Sequence, residues 1–259
     1  MDRYFINLSR RTDRREAMET QARRMGLSLI RIEALDARTA GPSELAGWFE
    51  PKGPLGEIPK GDQCCSLSHR LAWAALLASG RDYAAMLDDE VELPDRAGFV
   101  RQDAGWIPKG IDVVKLEHYG PAGQSVLLSD FAEVGGGFRL GRMRSRHTGA
   151  AAYILSRRAA RLLTQIRKFH LPVDHLLFNP NNSPIFAQLK PRQLLPTVAR
   201  QNNRASSDIE NWRRNLRKFD ATYARRELIR FGYDLRLFPG QLALFLSGKA
   251  RFVRVGAEF

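Results

Sequence analysis

Tyr83-Ala84-Ala85-Met86-Leu87-Asp88-Asp89-Glu90 is a short apolar run that ends in three consecutive acids, with Pro94 soon after it. An apolar run of this length, after a helix-like segment that ends at Gly80, predicts a buried strand of an α/β sheet. Open α/β sheets bind ligands at the carboxyl ends of their strands, which is where these acids lie. Three adjacent carboxylates repel one another, and a protein that keeps them together commonly uses them to hold a cation.

The acids Asp88, Asp89 and Glu90 therefore predict a metal site, and their oxygen ligands suit Mg²⁺ or Mn²⁺. In an extended chain Asp88 and Glu90 point to one face of the strand, and Asp89 points to the other. The alternative is a solvated acidic turn after the strand. The other motifs of the chain are needed to choose between a metal site and such a turn.

The composition predicts a globular chain with an anionic partner. Its 259 residues fit one α/β domain, and a hydrophobic content of 44% supplies an ordinary core. A net charge of +13 indicates nucleic acid, a nucleotide-sugar or an acidic membrane as the partner. Cys64 and Cys65 are sequence neighbours, which rarely form a structural disulfide, and this predicts a reducing cytoplasm. Charges near Met1 and the lack of an apolar run of about 20 residues predict a soluble or peripheral protein.

The N-terminal region predicts a strand followed by an anion-binding turn. Residues 4–8 form the predicted strand, and Asp13 with Glu16 predicts a capping box at the start of a helix. The basic cluster at this helix start consists of Arg10, Arg11 and Arg14. Amides at a helix start favour an anion, so the cluster is a candidate phosphate site; a basic surface loop is the alternative.

The next segments predict a strand over residues 27–35, a long loop over residues 40–62 and a helix over residues 64–79. A loop of that length in a compact domain commonly serves as a lid or a binding element. The predicted core face of the helix consists of Leu67, Leu71 and Ala74. Ser68 and His69 near its start either bind a ligand or cap and pack the helix.

Two further strands are predicted over residues 111–117 and 148–156, with hairpin-like pieces between them. Lys115 lies near the polar end of the first of these strands. A short helix is predicted to begin after Pro172 and to carry Asp174 and His175.

An acceptor hydroxyl needs a general base, which is normally a single Asp or Glu. Asp174, an acid separate from the triplet, is the candidate for this role. A helix N-cap explains the same residue equally well. His175 is either a third metal ligand or a packed histidine.

Five short pieces stand in order between residue 4 and about residue 209. They are Ile6-Asn7-Leu8 with Arg10 and Arg14; Cys65-Ser66-Leu67-Ser68-His69 with Trp73; the acidic triplet; Gly149 with Tyr153 and Ser156; and Pro172-Val173-Asp174-His175. The ordered set resembles glycosyltransferase family 25, the lipopolysaccharide and lipooligosaccharide galactosyl- or glucosyltransferases. This chain departs from the family where the acidic signature reads Asp88-Asp89-Glu90 instead of glutamate-aspartate-aspartate. It also has Asp62-Gln63-Cys64 where the family has glutamate-isoleucine-glycine.

The resemblance implies one α/β domain of the GT-A type, with a Rossmann-like nucleotide-sugar-binding sheet, over residues 1–205. It implies transfer of galactose or glucose from a UDP-sugar to a saccharide hydroxyl, with inversion, in lipopolysaccharide or other surface-glycan synthesis. A carboxylate-held Mn²⁺ or Mg²⁺ and nearby basic side chains would stabilise the departing diphosphate. The expected donor-binding residues are Asn7, Arg10, Arg14, Ser68, His69 and Lys115. The expected metal ligands are Asp88, Asp89 and Glu90, and the expected base is Asp174.

Residues 206–259 predict a basic amphipathic extension packed on or beside that domain. From Ile209 an apolar stripe recurs at helical spacing, with arginines on the other face of the helix. Either the stripe packs on the domain and the arginines are solvated, or the segment binds anionic lipid. For the tail after Pro239 the alternating cations favour lipid, on the inner face of a bacterial inner membrane.

Two other functions remain open at this stage. The altered acidic triplet is compatible with a catalytically weak or inactive nucleotide-sugar-binding relative. The positive charge is compatible with a nucleic-acid-binding protein. Against this, most aromatic residues occupy core-like positions, and neither zinc-finger spacing nor basic-aromatic alternation is present, so no nucleic acid is expected.

Overall fold

The computed structural model describes residues 1–94, 98, 103–120, 123–201 and 221–256. Its strands are β1 (Asp2–Asn7), β2 (Ile30–Glu33), β3 (Tyr83–Asp88), β4 (Val91–Glu92), β5 (Val113–Lys115), β6 (Glu117–His118), β7 (Gln124–Gly135), β8 (Phe138–Met143), β9 (Ala152–Ser156), β10 (Arg192–Leu195), β11 (Ala199–Gln201) and β12 (Ala250–Val255). Its helices are α1 (Thr12–Arg24), α2 (Pro42–Ala46), α3 (Lys60–Ser79), α4 (Arg157–Thr164), α5 (Val173–Phe178), α6 (Phe186–Leu189) and α7 (Ala221–Leu246). These elements confirm the mixed α/β class predicted from the sequence.

A nine-stranded sheet has the order β12-β7-β8-β10-β5-β9-β3-β1-β2. β1 pairs in parallel with both β2 and β3, whereas β9 runs antiparallel between β3 and β5. The carboxyl ends of β1, β2 and β3 therefore meet at the same end of the sheet. β4, β11 and β6 form a small second sheet.

The central strand β3 is buried on both faces, which explains its continuous apolar sequence. Residues 84–87 are each 0% exposed. Ala84 and Met86 belong to the core cluster that contains Trp73 of α3. The alternate residues belong to the cluster on the other face, which contains Met18 of α1. Helices α1 and α3 thus cover opposite faces of the sheet, and the predicted strand at residues 83–87 is confirmed.

Helix α1 begins without the predicted capping box. Its first helical residue is Thr12, and its N-cap residue, Arg11, makes no side-chain capping bond. Asp13 lies inside the first turn, where Nε and Nη2 of Arg11 donate to its carboxylate at 2.9 and 2.7 Å. The capping-box prediction is wrong because the neighbouring guanidinium takes up the carboxylate that the cap required.

The predicted core face of α3 is also wrong in part. Leu67 is buried, but Leu71 is 46% exposed and Ala74 is exposed. The helix instead buries the side that carries His69 and Trp73, each at most 1% exposed. Polar residues on this buried side concealed it from a search for apolar spacing. The loop predicted over residues 40–62 contains the short helix α2, and α3 already begins at Lys60.

The C-terminal segment contributes a strand to the main sheet. β12 pairs antiparallel with β7 from Ala250 to Val255, and these two residues are 3% and 0% exposed. Residues 209–220 of the predicted basic helix lie outside the described residues, and α7 is described from Ala221. Within the described ranges, no helix combines the length and the apolar character that crossing a membrane requires.

Removal of residues 249–259 is expected to lower the Tm of thermal unfolding and to promote aggregation. The truncation removes β12 and leaves the long strand β7 with an unpaired edge. Differential scanning fluorimetry measures the change, with Phe252→Ser as the control, because Phe252 lies in the same strand but is 58% exposed. A truncated chain that melts at the same temperature as the full chain would contradict this role of β12.

Candidate functional site

A cavity of about 260 Å³ opens at the carboxyl ends of the parallel strands β1, β2 and β3. Residues that follow these strands form one side of it, and the start of α3 forms the other. Its polar lining includes Arg10, Arg14, Asp36, Arg38, Ser68, Asp88, Asp89 and Glu90. The cavity thus occupies the place where open α/β sheets bind ligands, and its wall carries both basic and acidic groups.

The acidic triplet is partly neutralised by Arg14. Its Nη1 donates to Asp89 Oδ1 at 3.1 Å and to Glu90 Oε2 at 3.2 Å. β3 ends at Asp88, so Asp89 and Glu90 lie in a turn instead of an extended chain. The prediction that Asp89 points away from Glu90 is wrong, because one guanidinium contacts both.

Asn7, at the end of β1, supports this turn and is 1% exposed. Its Nδ2 donates to Asp89 Oδ2 at 2.7 Å and to the carbonyl of Arg11 at 3.1 Å. Its Oδ1 accepts from Arg31 Nε at 3.1 Å. Both polar atoms of Asn7 are thus engaged inside the protein, so its role is to position Asp89 and the loop after β1.

Ser68 reaches the cavity wall while it also joins α3 to the chain after β2. Its Oγ donates to the carbonyl of Cys64 at 2.7 Å and accepts from the backbone N–H of Leu35 at 2.9 Å. Arg10 also lines the cavity, with its Nε bonded to Asp36 Oδ2 at 2.5 Å. Both residues therefore line the same cavity, and their donor-binding role stays a prediction.

Asp88 lies in an environment that disfavours its charge. Its side chain is 23% exposed, yet burial raises its pKa well above the usual range, and nearby acids raise it further against a smaller effect of Arg14. These acids are Glu90, Glu117 and Asp89. Burial also raises the pKa of Glu90, which a hydrogen bond from Gln201 and the charge of Arg14 counteract. A cation between such acids would stabilise their charged forms.

The pair Asp88 and Glu90 fits a divalent cation that is shared with a ligand. Mg²⁺ commonly takes one or two carboxylates and completes its shell with substrate phosphates and water. Within the described ranges, no three acidic, histidine or cysteine side chains are grouped as a complete metal cage. The two oxygens of Asp89 are bonded to Asn7 and Arg14, and those of Glu90 are bonded to Arg14 and Gln201. A cation would therefore bind Asp88 and would share Glu90 with Arg14 and Gln201, with a bound diphosphate completing its shell.

His69 lies beneath Asp88 and is held neutral by burial. Its Nε2 is 3.5 Å from Asp88 Oδ1, and its Nδ1 is 2.9 Å from the hydroxyl of Tyr153. Burial lowers the pKa of His69 to about 4, against the opposing charge of Asp174. Because Nε2 faces a carboxylate, we assign the proton to Nε2, so that Nδ1 accepts from Tyr153. The Tyr153 oxygen in turn accepts from Trp73 Nε1 at 2.8 Å.

A buried ion pair lies in the same region, and sequence reasoning recognised only one of its members. Lys115 Nζ donates to Glu117 Oε1 at 2.7 Å and to the carbonyl of Gly149 at 2.5 Å, and both charged side chains are 0% exposed. Lys115 therefore stabilises Glu117 and does not line the cavity. Glu117 Oε2 is buried and has no hydrogen-bond partner in the described part of the chain. The polar end of the predicted strand at residues 111–117 was the signal for Glu117.

Gly149 permits this ion pair. Its φ is +87°, a region that favours glycine, and a Cβ there would lie 3.2 Å from Glu117 Oε1. Glu117 Oε1 also accepts from the backbone N–H of Ala151 at 2.7 Å. A glycine at this position therefore lets the chain before β9 approach the carboxylate closely.

Asp174 lies in the first turn of α5, whose N-cap residue is Pro172. The alternative that Asp174 itself is the N-cap is therefore wrong; its Oδ1 accepts from the backbone N–H of His175 at 2.9 Å. Burial lowers the pKa of both His69 and Lys115, and the charge of Asp174 opposes that effect on both, which indicates that Asp174 lies near these two groups. Asp174 does not line the cavity that holds the acidic triplet.

A second cavity, of about 370 Å³, lies between α5 and α7. Its lining consists of Leu55, Arg146, His175, Asn179, Asn182, Glu227, Phe231 and Asp234. Asn179 Nδ2 lies 2.8 Å from His175 Nδ1 and donates to Asn182 Oδ1 at 2.7 Å. The buried Nδ2 of Asn182 has no hydrogen-bond partner among the described residues. His175 thus belongs to this polar cavity instead of the acidic triplet, and the amides around it escaped sequence reasoning.

A family model described as glycosyltransferase family 25 (LPS biosynthesis protein) matches residues 1–177. The chain belongs to glycosyltransferase family 25. The matched range contains the whole acidic triplet and its partners from β1, α1 and α3, and it ends within α5. The resemblance on which the sequence prediction rested is therefore confirmed.

Two curated relatives match shorter parts of the chain. R655 of Acanthamoeba polyphaga mimivirus, named as a glycosyltransferase, is 39% identical over 88 residues, which cover 32% of this chain and 27% of R655. LgtB of Neisseria gonorrhoeae, a lacto-N-neotetraose biosynthesis glycosyltransferase, is 29% identical over 139 residues, which cover 47% of each chain. The chain thus spans about half or less of the length of these relatives.

Solved structures align over more of the chain at lower identity. A glycosyltransferase involved in the glycosylation of the PBCV-1 major capsid aligns over 89% of this chain and 98% of its own, with 8% identity and a TM-score of 0.40. A197 from STIV aligns over 77% of this chain and 83% of its own, with 14% identity and a TM-score of 0.37.

Asp88→Asn is expected to raise stability at neutral pH when divalent cations are removed with EDTA. The fold holds the pKa of Asp88 above its unfolded value, so stability is lost as the pH rises through the folded pKa. This cost is absent below the unfolded pKa of about 4, and asparagine does not incur it. Thermal melts between pH 4 and pH 8 should show a Tm difference in favour of the variant that grows with pH.

The matched control for this measurement is Asp82→Asn, because the Asp82 side chain is 90% exposed. Its Tm difference from wild type should stay flat over the same range. A flat difference for Asp88→Asn as well would contradict the raised pKa.

Proposed function

We propose that this chain transfers a hexose, galactose or glucose, from a UDP-sugar to a hydroxyl group of a saccharide acceptor. The observation that carries the proposal is the cavity at the ends of β1, β2 and β3, where Asp88 and Glu90 face Arg10 and Arg14. Membership of glycosyltransferase family 25 supports the same activity. The GT-A fold type, the UDP donor and inversion at the anomeric carbon are parts of this proposal that rest on the family resemblance.

The donor half of the site has to stabilise the diphosphate that departs from the sugar. Arg10 and Arg14 lie on the cavity wall, and a guanidinium presents its N–H donors in a planar fork that suits phosphate oxygens. A divalent cation bound at Asp88 and Glu90 would supply Lewis-acid stabilisation of the same leaving group. His69, whose Nε2 is 3.5 Å from Asp88 Oδ1, adds no positive charge to the site because burial keeps it neutral.

We assign the acceptor to the second cavity, which is lined by His175, the residue that follows Asp174 in α5. Asn182 and Asp234 offer hydrogen-bond donors and acceptors for sugar hydroxyls, and Phe231 offers a ring face. Asn179 is buried and positions Asn182 through a hydrogen bond from its Nδ2. Asp174 takes the proton of the acceptor hydroxyl as that oxygen bonds to the anomeric carbon and the bond to the diphosphate breaks. Attack from the face opposite the diphosphate inverts the anomeric centre.

The acceptor class in this proposal is a lipopolysaccharide or another surface glycan, in line with the family description. Such an acceptor is attached to lipid while it is extended. The proposed place of action is therefore the cytoplasmic face of a bacterial inner membrane.

UDP-galactose or UDP-glucose with Mn²⁺ is expected to raise the Tm of the wild-type chain. Ligand bound to the native state stabilises it by mass action, by about 2.7 kcal/mol at a concentration 100 times the Kd. The double variant Asp88→Asn/Glu90→Gln should lose the part of the shift that requires Mn²⁺. The matched control is Asp82→Asn/Glu33→Gln, two acids whose side chains are 90% and 69% exposed.

Each alternative has its own outcome in this experiment. A Mn²⁺ effect that survives in the double variant would remove the metal assignment. If neither UDP nor any UDP-sugar changes the Tm of the wild type, the assignment of a UDP-sugar donor is wrong. Salt-sensitive binding to a DNA or RNA duplex would then favour a nucleic-acid-binding function. A thermal shift without release of UDP from any donor and acceptor tried would indicate an inactive relative.

Asp174→Asn is expected to lower the rate of transfer about 100-fold or more, the usual scale for loss of a general base. Binding of UDP should be unchanged, since Asp174 does not line the donor cavity. Initial rates of UDP release and the UDP-induced thermal shift measure the two effects separately. Asp130→Asn, at a side chain that is 50% exposed, is the control. Wild-type transfer by Asp174→Asn would mean that another group is the base.

A further inference from the structure

The outer side of helix α7 carries an apolar row that is exposed along its whole length. Large apolar side chains recur there at alternating steps of three and four residues. The α7 row consists of Leu228, Phe231, Leu235, Phe238, Leu242 and Phe245. Their exposed fractions lie between 39% and 71%. A surface helix ordinarily turns such a row toward the core of its own chain, so this row indicates a partner.

The other side of α7 is the one that packs on the domain. Tyr233, Leu237, Gln241 and Leu244 recur on that side, and all are partly buried. Gln241 Nε2 donates to the carbonyl of Arg144 at 2.7 Å, which ties the helix to the chain after β8. The orientation of α7 is thus fixed by contacts on its inner side, and the α7 row is left outside.

The α7 row continues onto β12, and exposed basic side chains lie beside it at that end. The rings of Phe245 and Phe252 have centroids 5.7 Å apart, and Phe252 is 58% exposed. Arg254 shares the strand face of Phe252, because alternate residues of a strand point the same way. The exposed basic side chains at this end are Lys249, in the turn between α7 and β12, and Arg254. Arg251 lies over the ring of Phe131 on the other face of the strand, and the acids Glu227 and Asp234 lie beside the first half of the row.

The residues beside the α7 row favour lipid over a second protein helix. Steps of three and four also suit a coiled coil, but its flanking positions carry charged residues that pair across the interface. In α7 the flanking positions on one side are Gly232, Pro239 and Leu246, and those on the other side are Glu227, Asp234 and Gln241. A second copy of this helix would therefore offer those acids no basic partner at either flank, whereas acyl chains need no ion pair. The bordering cations complement the phosphates of anionic headgroups.

We propose that the α7 row, with Phe252, is a docking surface for an anionic lipid bilayer. The Phe and Leu side chains enter the boundary between headgroups and acyl chains, and the bordering cations contact lipid phosphates. Phe231 also lines the second cavity, so a docked chain would hold that cavity close to the membrane surface. The purpose of docking, access to a lipid-linked acceptor, rests on the function proposed above, but docking itself requires no turnover.

Flotation of the full chain with lipid vesicles tests the proposal. We expect the chain to float with vesicles of phosphatidylglycerol and phosphatidylethanolamine at low salt, and to stay below vesicles of phosphatidylcholine alone. Leu235→Ser/Leu242→Ser should weaken binding about tenfold or more, because two apolar side chains leave the lipid. The matched control is Ile30→Ser/Leu71→Ser, since those residues are 44% and 46% exposed against 51% and 39% for the leucines of the row. Point variants are preferable to a truncation because β12 belongs to the main sheet.

Three outcomes would overturn the proposal. They are no flotation of the wild type with anionic vesicles, equal loss in the control, and equal flotation of both double variants. Light scattering after size exclusion tests the competing partner, a second copy of this chain. A wild-type dimer that does not float, and that Leu235→Ser/Leu242→Ser converts to a monomer, would assign the α7 row to that second copy. The UDP-induced thermal shift in the same preparations keeps the two proposals separate. A chain that floats without binding UDP would retain the docking surface and lose the donor site.

Discussion

The burial of several carboxylates at the end of β3 is the constraint on which the arrangement of this protein depends. Asp88 and Glu90 lie close enough to Glu117 for each to disfavour the charge of the other acids. Such a cluster costs free energy in the folded state, and the apolar strand behind it is buried on both faces and can bear that cost. Arg14 neutralises the outer acids, while Lys115 neutralises Glu117. Asp88 has the neutral His69 beside it and receives only a smaller effect from Arg14, which makes it the group for which a bound cation would have the largest effect.

Much of this arrangement follows from short-range features of the sequence. The apolar run at residues 83–87 predicts β3 because a strand buried on both faces needs no alternation. The family resemblance implied that Arg10, Arg14, Ser68 and the triplet share one site, and all of them line one cavity. The alternation assigned to Asp89 failed for a local reason: β3 stops at Asp88 and the chain turns.

What the sequence could not predict depends on contacts between distant segments. Lys115 was expected to bind the donor because a cation near a strand end suits a phosphate. In the fold its ammonium group instead forms a buried ion pair with Glu117, two residues later. Nothing in the spacing reveals that Gly149 accepts from that lysine. The buried side of α3 was missed because His69 and Ser68 are polar, and their burial follows from partners on β9 and after β2. Glu117 and the amides of the second cavity acquire meaning only when the fold brings them together.

The two cavities differ in how far the family match covers their lining. The family match ends at residue 177, and it includes every residue that lines the cavity with the acidic triplet. The second cavity takes Asn179, Asn182, Phe231 and Asp234 from beyond that limit. A nucleotide is the same ligand in every member of a donor class, whereas acceptors differ. Under the donor and acceptor assignments proposed above, a chain that builds its second cavity from later residues could change acceptor without rebuilding the donor site.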